Sequence, residues 1–252
     1  MGVTRTTDGG VAQLHLSWPP LNILTRAALS ELRAALAALA ADRTLRALVL
    51  TAEGRHFSAG ADVQEHLPPA HEALIPEFLE TVAAIREFPV PVIAAVRGRC
   101  LGGGFEVVQA ADLVVAGEGA SFGQPEIVLG VLAPAACVLL PRIAGPQAAA
   151  EIVYGGDPVP APEALRLGIV RRVVPDAEVE DAALALARRI ARHSAAALRL
   201  AKRALRGAPD APLGAAFERV SALYRDELMA TADAVEGLRA FVAKRDPVWS
   251  HR

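Results

Sequence analysis

Cysteine is scarce in this sequence, and its two copies stand far apart. Cys100 and Cys137 form neither a Cys-x-x-Cys pair nor a Cys/His spacing typical of zinc ligands. The cysteines therefore indicate neither a metal site nor a disulfide framework. They favour two buried free thiols in a reducing compartment.

A large net charge and a long apolar run are also lacking. The formal net charge of -2 argues against nucleic acid and anionic membrane as partners. The first residues, MGVTRTTDGGVAQLHL, lack the basic-then-apolar order of a signal peptide, and no segment approaches a membrane span. We therefore expect a soluble, cytoplasmic protein. Apolar residues are plentiful, at 53% of 252 residues, and this predicts one large domain with a full core.

The first half of the chain alternates strands and helices. Alternating apolar and polar residues predict a strand over 11–17, and an Ala/Leu-rich helix with Thr25 as its cap is predicted over 25–42. A buried strand is predicted over 45–54. The same unit recurs as a helix and two strands, over 72–88, 91–98 and 112–117. This alternation predicts parallel strands joined by helical crossovers.

From about residue 134 the pattern becomes helical. The candidate helices cover 134–143, 146–154, 161–167, 177–194, 196–206, 213–229 and 231–244. Four basic residues share one face of one of these helices: Arg199, Lys202, Arg203 and Arg206. Such a stripe could contact phosphates, but a solvated face is the commoner explanation.

Two glycine-containing turns are candidates for chemistry. The stretch GRHFSAGADV (54–63) follows a strand and places small residues where backbone can face a pocket. The stretch RCLGGGFEVVQAAD (99–112) puts three glycines before a glutamate. These glycines allow either tight packing where a strand turns into a helix, or a ligand close to the unpaired N–H groups of a helix start. The stretch is neither a Walker loop nor a GxGxxG dinucleotide motif.

A third candidate stretch is SFGQPEIVLG (121–130). Pro125 should keep Gln124 extended, and Glu126 then stands among apolar residues, where glutamate seldom occurs without a partner or a task. A structural explanation also exists for each acid. Glu106 could pair within its helix, and Glu126 could be a surface residue at a loop end. For either glutamate taken alone, the structural explanation is favoured. The occurrence of all three stretches in one chain favours a functional explanation.

All three stretches, in this order and spacing, resemble the enoyl-CoA hydratase, or crotonase, superfamily. Its AGAD, GGGxE and FGQPE elements occur at 59–62, 102–106 and 122–126, and DAVEGLRAFVAKRDPVW at 233–249 matches its C-terminal pattern. The resemblance covers nearly the whole chain. It implies an α/β fold of the crotonase (ClpP-like) kind. Residues 1–195 would form a spiral core of ββα units that binds acyl-CoA, and residues 196–252 would form a C-terminal helical trimerisation region.

The resemblance also implies a set of site residues. The backbone N–H groups of Ala61 and Gly103 would form an oxyanion hole, with Glu106 activating water and Glu126 donating a proton. The positions assigned to substrate binding are Ala59, Gly60, Asp62, Gly102, Gln124, Pro134 and Lys244. Lys244 would reach the coenzyme A of an adjoining subunit. His66 stays outside the catalytic set, because a histidine near a loop is more often a surface or packing residue.

The implied partner is an acyl-CoA thioester, and the implied assembly is a homotrimer or a dimer of trimers. No cofactor is expected, since coenzyme A is part of the substrate. The sequence departs from common hydratases after Glu126, where VLAPAACVLLPR (131–142) replaces a glycine-rich PGxGG stretch. Gln64 also stands where many relatives have lysine. These departures predict a reshaped acyl pocket and put part of the usual phosphate binding in doubt.

The departures resemble the branch of the superfamily that contains cyclohexa-1,5-dienecarbonyl-CoA hydratase. The predicted activity is a hydro-lyase reaction on a conjugated enoyl- or dienoyl-CoA. An isomerase or decarboxylase on the same scaffold is an alternative, but it needs the oxyanion hole and not both glutamates. A non-catalytic RNA-binding relative is another alternative, and it should show a concentrated basic surface.

Overall fold

Two β-sheets covered by helices make up the computed structural model, which describes residues 2–207 and 211–251. The strands are β1 (Gly2–Asp8), β2 (Val11–Ser17), β3 (Ala47–Ala52), β4 (Val92–Val96), β5 (Arg99–Leu101), β6 (Leu113–Gly117), β7 (Ser121–Gly123), β8 (Val159–Pro160) and β9 (Arg172–Val174). The α-helices are α1 (Arg26–Ala40), α2 (His71–Arg86), α3 (Gly103–Ala110), α4 (Ala136–Ala144), α5 (Pro146–Gly155), α6 (Ala161–Arg166), α7 (Val179–Ile190), α8 (Ala195–Gly207), α9 (Leu213–Ala222) and α10 (Ala232–Val242).

The larger sheet has the order β1-β2-β3-β4-β6-β9, with β1 antiparallel to β2 and the other neighbours parallel. The smaller sheet has the order β5-β7-β8, and Ser58 extends it through a bridge to Cys100. From β3 to α4, successive turns of the chain therefore place one strand in the large sheet, a short strand or bridge in the small sheet and then a helix, as in β4-β5-α3. This arrangement confirms the predicted α/β spiral of ββα units.

Local sequence explains the elements that were predicted well. Every residue of β3 and β4 is buried, as expected for central strands of a parallel sheet covered on both faces. Helix α1 begins after Thr25, whose hydroxyl accepts the N–H of Ala28 at 3.2 Å, so the predicted cap is confirmed. Its buried face consists mainly of leucines three or four residues apart: Leu29, Leu32, Leu36 and Leu39.

Some elements were not predicted. Strand β1 pairs with β2 along its whole length but is mostly exposed. Because neither of its faces is consistently buried, its sequence lacks the alternation of apolar and polar residues that predicts a strand. Strands β5, β7, β8 and β9 have two or three residues each, too few for a period. The helix predicted over 213–229 is α9 followed by a π-helical segment, Leu223–Leu228. The predicted division after residue 195 falls at the first residue of α8.

The basic stripe of α8 is not a solvated face, so that interpretation was wrong. Lys202 is 6% exposed, and its Nζ donates to Asp112 Oδ2 at 2.6 Å and to the Val90 carbonyl at 3.0 Å. Arg206 donates to Asp112 Oδ1 and to the carbonyl of Ala110. These contacts fasten α8 to the end of α3 and the start of β4. Arg203 on the same helix forms an exposed pair with Glu227.

The two cysteines are both free, but only Cys100 is buried. Cys137 is exposed on α4, so the prediction of two buried thiols was wrong for this residue. None of the helices within residues 2–207 and 211–251 is long and apolar enough to cross a membrane.

Candidate active site

The three glycines at the start of α3 have different reasons to lack a side chain. Gly102 caps the helix with φ +53°, a conformation that L side chains rarely adopt. A Cβ on Gly104 would lie 2.5 Å from the Cβ of Ser58, so this glycine allows the helix to pack on the 54–63 turn. A Cβ on Gly103 would lie 3.2 Å from the backbone nitrogen of Ala61. The packing explanation is therefore confirmed at Gly104, while the approach of a ligand at Gly103 stays a prediction.

Two backbone donors lie next to each other at this point. Gly103 is the first residue of α3, where helix N–H groups have no partner within the helix. Within the part of the chain that the structure describes, neither its N–H nor that of Ala61 has a protein acceptor. The positive end of the α3 dipole lies at Gly103 and increases the positive electrostatic potential around its N–H group. Together the two groups can stabilise negative charge that develops on an oxygen atom.

A cavity of about 220 Å³ opens beside these donors. Its apolar wall comes from α2 (Leu74, Ile75 and Phe78), and exposed apolar residues such as Leu129 and Leu132 stand at its rim. Eight of the predicted site residues line it: Ala59, Gly60, Ala61, Gly102, Gly103, Glu106, Glu126 and Pro134. The structure thus brings together residues from three stretches that are far apart in sequence.

Glu106 is held by the N-terminal end of another helix. It is 2% exposed, and its Oε1 accepts the N–H groups of Ala135 at 2.7 Å and Ala136 at 2.9 Å, where α4 begins. These are unpaired donors of a helix start, so they fix one carboxylate oxygen. Burial raises the pKa of Glu106 to about 7, with a further rise from the charge of Glu126, while the two N–H groups oppose the increase. A carboxyl group with such a pKa can exchange protons near neutral pH.

Glu126 approaches the same cavity from a short 3₁₀ helix, Pro125–Leu129. Burial raises its pKa, while its own backbone N–H and the nearby His66 act in the opposite direction. The side-chain amide of Gln124 has one orientation in which both its oxygen and its NH₂ group form hydrogen bonds. In that orientation, Gln124 Nε2 lies 3.0 Å from Glu126 Oε2 and 3.2 Å from Glu126 Oε1. Burial thus favours the protonated form of Glu126, which is the form needed to donate a proton, while the NH₂ group of Gln124 favours the ionised form.

Three of the predicted site residues do not line the cavity. Asp62 accepts the N–H of Gln64 at 2.8 Å, next to the start of the 3₁₀ helix Gln64–His66. Gln124 is fully buried behind Glu126 and contacts the site only through that carboxyl group. Lys244 is exposed just beyond the end of α10, with φ +53°. A role for Lys244 in a neighbouring subunit stays a prediction.

His66 and the helix start at 135–136 were not assigned to the site from sequence. His66 lines the cavity, and its Nδ1 lies 2.7 Å from the carbonyl oxygen of Asp62, which fixes the ring. From the sequence alone, His66 stays outside the catalytic set, because a histidine near a loop is more often a surface or packing residue. The APAAC segment was recognised as unusual, but its N–H groups acquire a role only when the fold brings them to Glu106.

Comparison with known proteins shows the family of the chain and an architecture shared with solved structures. Residues 6–252 match the family Enoyl-CoA hydratase/isomerase. Cyclohexa-1,5-dienecarbonyl-CoA hydratase of Thauera aromatica is 42% identical, over 97% of this chain and 95% of that protein. The 2,3-dehydroadipyl-CoA hydratase of Escherichia coli K12 is 38% identical, over 92% and 91% of the two chains. The crystal structure of an enoyl-CoA hydratase from Bacillus anthracis superposes with a TM-score of 0.95 at 31% identity, covering 100% of both chains.

Proposed function

This chain belongs to the enoyl-CoA hydratase/isomerase family, and we propose that it adds water to, or removes it from, a conjugated enoyl- or dienoyl-CoA thioester. One observation supports this above all: a buried carboxyl group (Glu106) and a half-buried one (Glu126) face the same cavity as two unpaired backbone N–H groups. An isomerase or decarboxylase would use the N–H pair but does not require both acids.

The reaction divides naturally among these groups. When water attacks the β-carbon of a conjugated thioester, electrons move onto the carbonyl oxygen, where the N–H groups of Ala61 and Gly103 stabilise the charge. One such donor contributes about 3 kcal/mol to lowering the barrier. Glu106, with one oxygen held by α4, accepts a proton from the water through its other oxygen. Glu126 delivers a proton to the α-carbon, so the net change is addition of H and OH.

Within this class, we infer a preference for a compact, cyclic, conjugated acyl group. The cavity is small, and its inner wall is built from Phe78 and from Pro134, which cannot rotate about φ. The similarity to cyclohexa-1,5-dienecarbonyl-CoA hydratase supports the same preference. A long linear chain would have to bend around these walls or leave through the apolar rim.

A panel of CoA thioesters tests both levels of the proposal. We expect mass spectrometry to show addition of water, and kcat/KM to be higher for cyclohexa-1,5-dienecarbonyl-CoA than for crotonyl-CoA or a long-chain trans-2-enoyl-CoA. A preference for either linear substrate would overturn the cyclic assignment and leave the hydratase proposal standing. Failure to hydrate any of the three would contradict both.

We also infer that the chain assembles as a homotrimer or a dimer of trimers. Large apolar side chains are exposed on the C-terminal helices, among them Phe217 on α9 and Phe241 and Val242 on α10. Burial of such a surface between copies is the usual reason for its exposure in one chain. Sedimentation equilibrium should give a mass of three or six chains, and a monomeric mass would contradict the inference.

A further inference from the structure

Gln109 is a buried amide on α3 that the site described above does not use. It is 3% exposed and lies three residues after Glu106, so both side chains leave neighbouring positions of one helix face. The residues beside it, Val108 and Ala110, are fully buried and apolar. An amide in such surroundings is costly unless it forms hydrogen bonds.

The hydrogen bond of Gln109 leads to the active site. In the Gln124 amide orientation that pairs both its oxygen and its NH₂ group, Gln109 Nε2 donates to the Gln124 oxygen at 2.8 Å. The NH₂ group of Gln124 then faces both oxygens of Glu126. Gln124 is fully buried, so bulk water cannot take over either contact. Helix α3 therefore connects to Glu126 through two amide side chains in sequence.

The direction in which the Gln124 amide points has a chemical consequence. If its oxygen faced Glu126, the carboxylate form would meet an acceptor and only the protonated acid could form a hydrogen bond. With its NH₂ group facing Glu126, the amide stabilises the ionised form. With the NH₂ group of Gln109 facing it, Gln124 takes the second orientation, because its own NH₂ group in that place would face another donor. The oxygen of Gln109 is then a buried atom without a hydrogen-bond partner in the part of the chain that the structure describes.

We propose that Gln109 is a positioning residue that orients Glu126 through Gln124 and keeps its proton easy to transfer. The inference rests on the proposed role of Glu126 as proton donor. The titratable groups that interact electrostatically with Glu126 are Glu106 on α3, His66 on the 3₁₀ helix Gln64–His66, and Cys137 on α4. Because the charge of Glu126 raises the pKa of Glu106, the test should remove the titration of Glu106.

The test is a titration of Glu126 in a Glu106→Gln background, by ¹³C NMR of glutamate-labelled protein without substrate. Replacing Gln109 by the similarly shaped Met should raise the pKa of Glu126 by about 0.5 to 1 pH unit, the value of one hydrogen bond. Val108→Ala, a packing change at the preceding buried position, should leave this pKa unchanged. Gln109→Leu serves as a second apolar replacement and should give the same rise.

A double-mutant cycle shows whether the effect passes through Gln124. Gln124→Met should raise the pKa of Glu126 by itself, and Gln109→Met should then add nothing. An unchanged pKa in both Gln109 variants, or an equal further rise when Gln124→Met is present, would overturn the proposal.

The same variants separate this inference from the proposed function. With Glu106 intact, Gln109→Met should lower kcat several-fold, leave KM nearly unchanged and move the alkaline limb of the pH profile to higher pH. A shifted titration in a protein that hydrates no thioester would support the positioning role while the proposed function fails. Normal hydration with an unshifted titration and pH profile would refute the positioning role alone.

Discussion

A Cβ atom on Gly103 would lie 3.2 Å from the backbone nitrogen of Ala61 and 3.0 Å from Cε2 of Phe78. Because Gly103 has no side chain, the space between its own N–H group, the N–H group of Ala61 and the ring of Phe78 stays open. No other residue type leaves this space open, although the helical conformation of Gly103 itself would accept alanine.

Gly103→Ala should accordingly lower kcat by about 10²- to 10³-fold, because the added Cβ would keep a carbonyl oxygen away from the N–H groups, with an effect similar to the loss of one oxyanion donor. The fold should survive, because the nearest side-chain contact, Phe78, needs to move by only a few tenths of an ångström. Steady-state kinetics and a thermal melt measure the two effects. Gly155→Ala is the matched control, since a Cβ there meets open space, and its activity should equal that of the wild type. Normal turnover in Gly103→Ala would mean that the glycine serves packing only.

Glu106→Gln and Glu126→Gln should each lower kcat by about 10²- to 10⁴-fold, because hydration needs both a proton acceptor and a proton donor. Binding of the CoA ester should remain, since glutamine keeps the volume of each side chain. Isothermal titration calorimetry with a substrate analogue, next to kinetics, distinguishes loss of chemistry from loss of binding. Near-normal turnover in either variant would contradict its assigned role.

Glu106→Gln should also change how stability depends on pH. A carboxyl group whose pKa rises on folding stabilises the folded state below its unfolded pKa of 4.5, and this contribution is lost as pH rises to about 7. The rise corresponds to about 3 kcal/mol. Glutamine can still accept the N–H groups of Ala135 and Ala136, so the variant should gain stability over the wild type by up to that amount above pH 7. Urea unfolding from pH 5 to pH 8 should show the difference growing with pH; a constant difference would contradict the raised pKa.

Lys202→Met should destabilise the protein by about 1–3 kcal/mol, because it removes one cation from the half-buried carboxylate of Asp112 and leaves the carbonyl of Val90 without that donor. Arg203→Met, on the same helix, should cost less than about 1 kcal/mol, since its pair with Glu227 is exposed. Denaturant midpoints of the two variants give the comparison. Equal effects would show that α8 is not fastened through Lys202.

The sequence predicted the central elements because their patterns are local. Strand β2 has the predicted bounds 11–17, and Thr25 caps α1, since alternation and capping depend on residues a few positions apart. Polar β1 and the very short β5 and β7 lack such a pattern. Their strand conformation comes from hydrogen bonds to neighbours that the fold supplies, so no local signal could predict them.

The sequence by itself determined the family, the α/β spiral and the motifs that contain Ala61, Gly103, Glu106 and Glu126, because these stretches keep a fixed order and spacing. Tertiary structure alone decided which groups meet. It set the N-terminus of α4 against Glu106, buried Lys202 against Asp112 and connected Gln109 to Glu126 through Gln124. These contacts join residues 15 to 90 positions apart, and burial then shifts the pKa values of the carboxyl groups. Neither the distances nor the burial can be read from the order of residues, because both arise only when separate units of the spiral pack together.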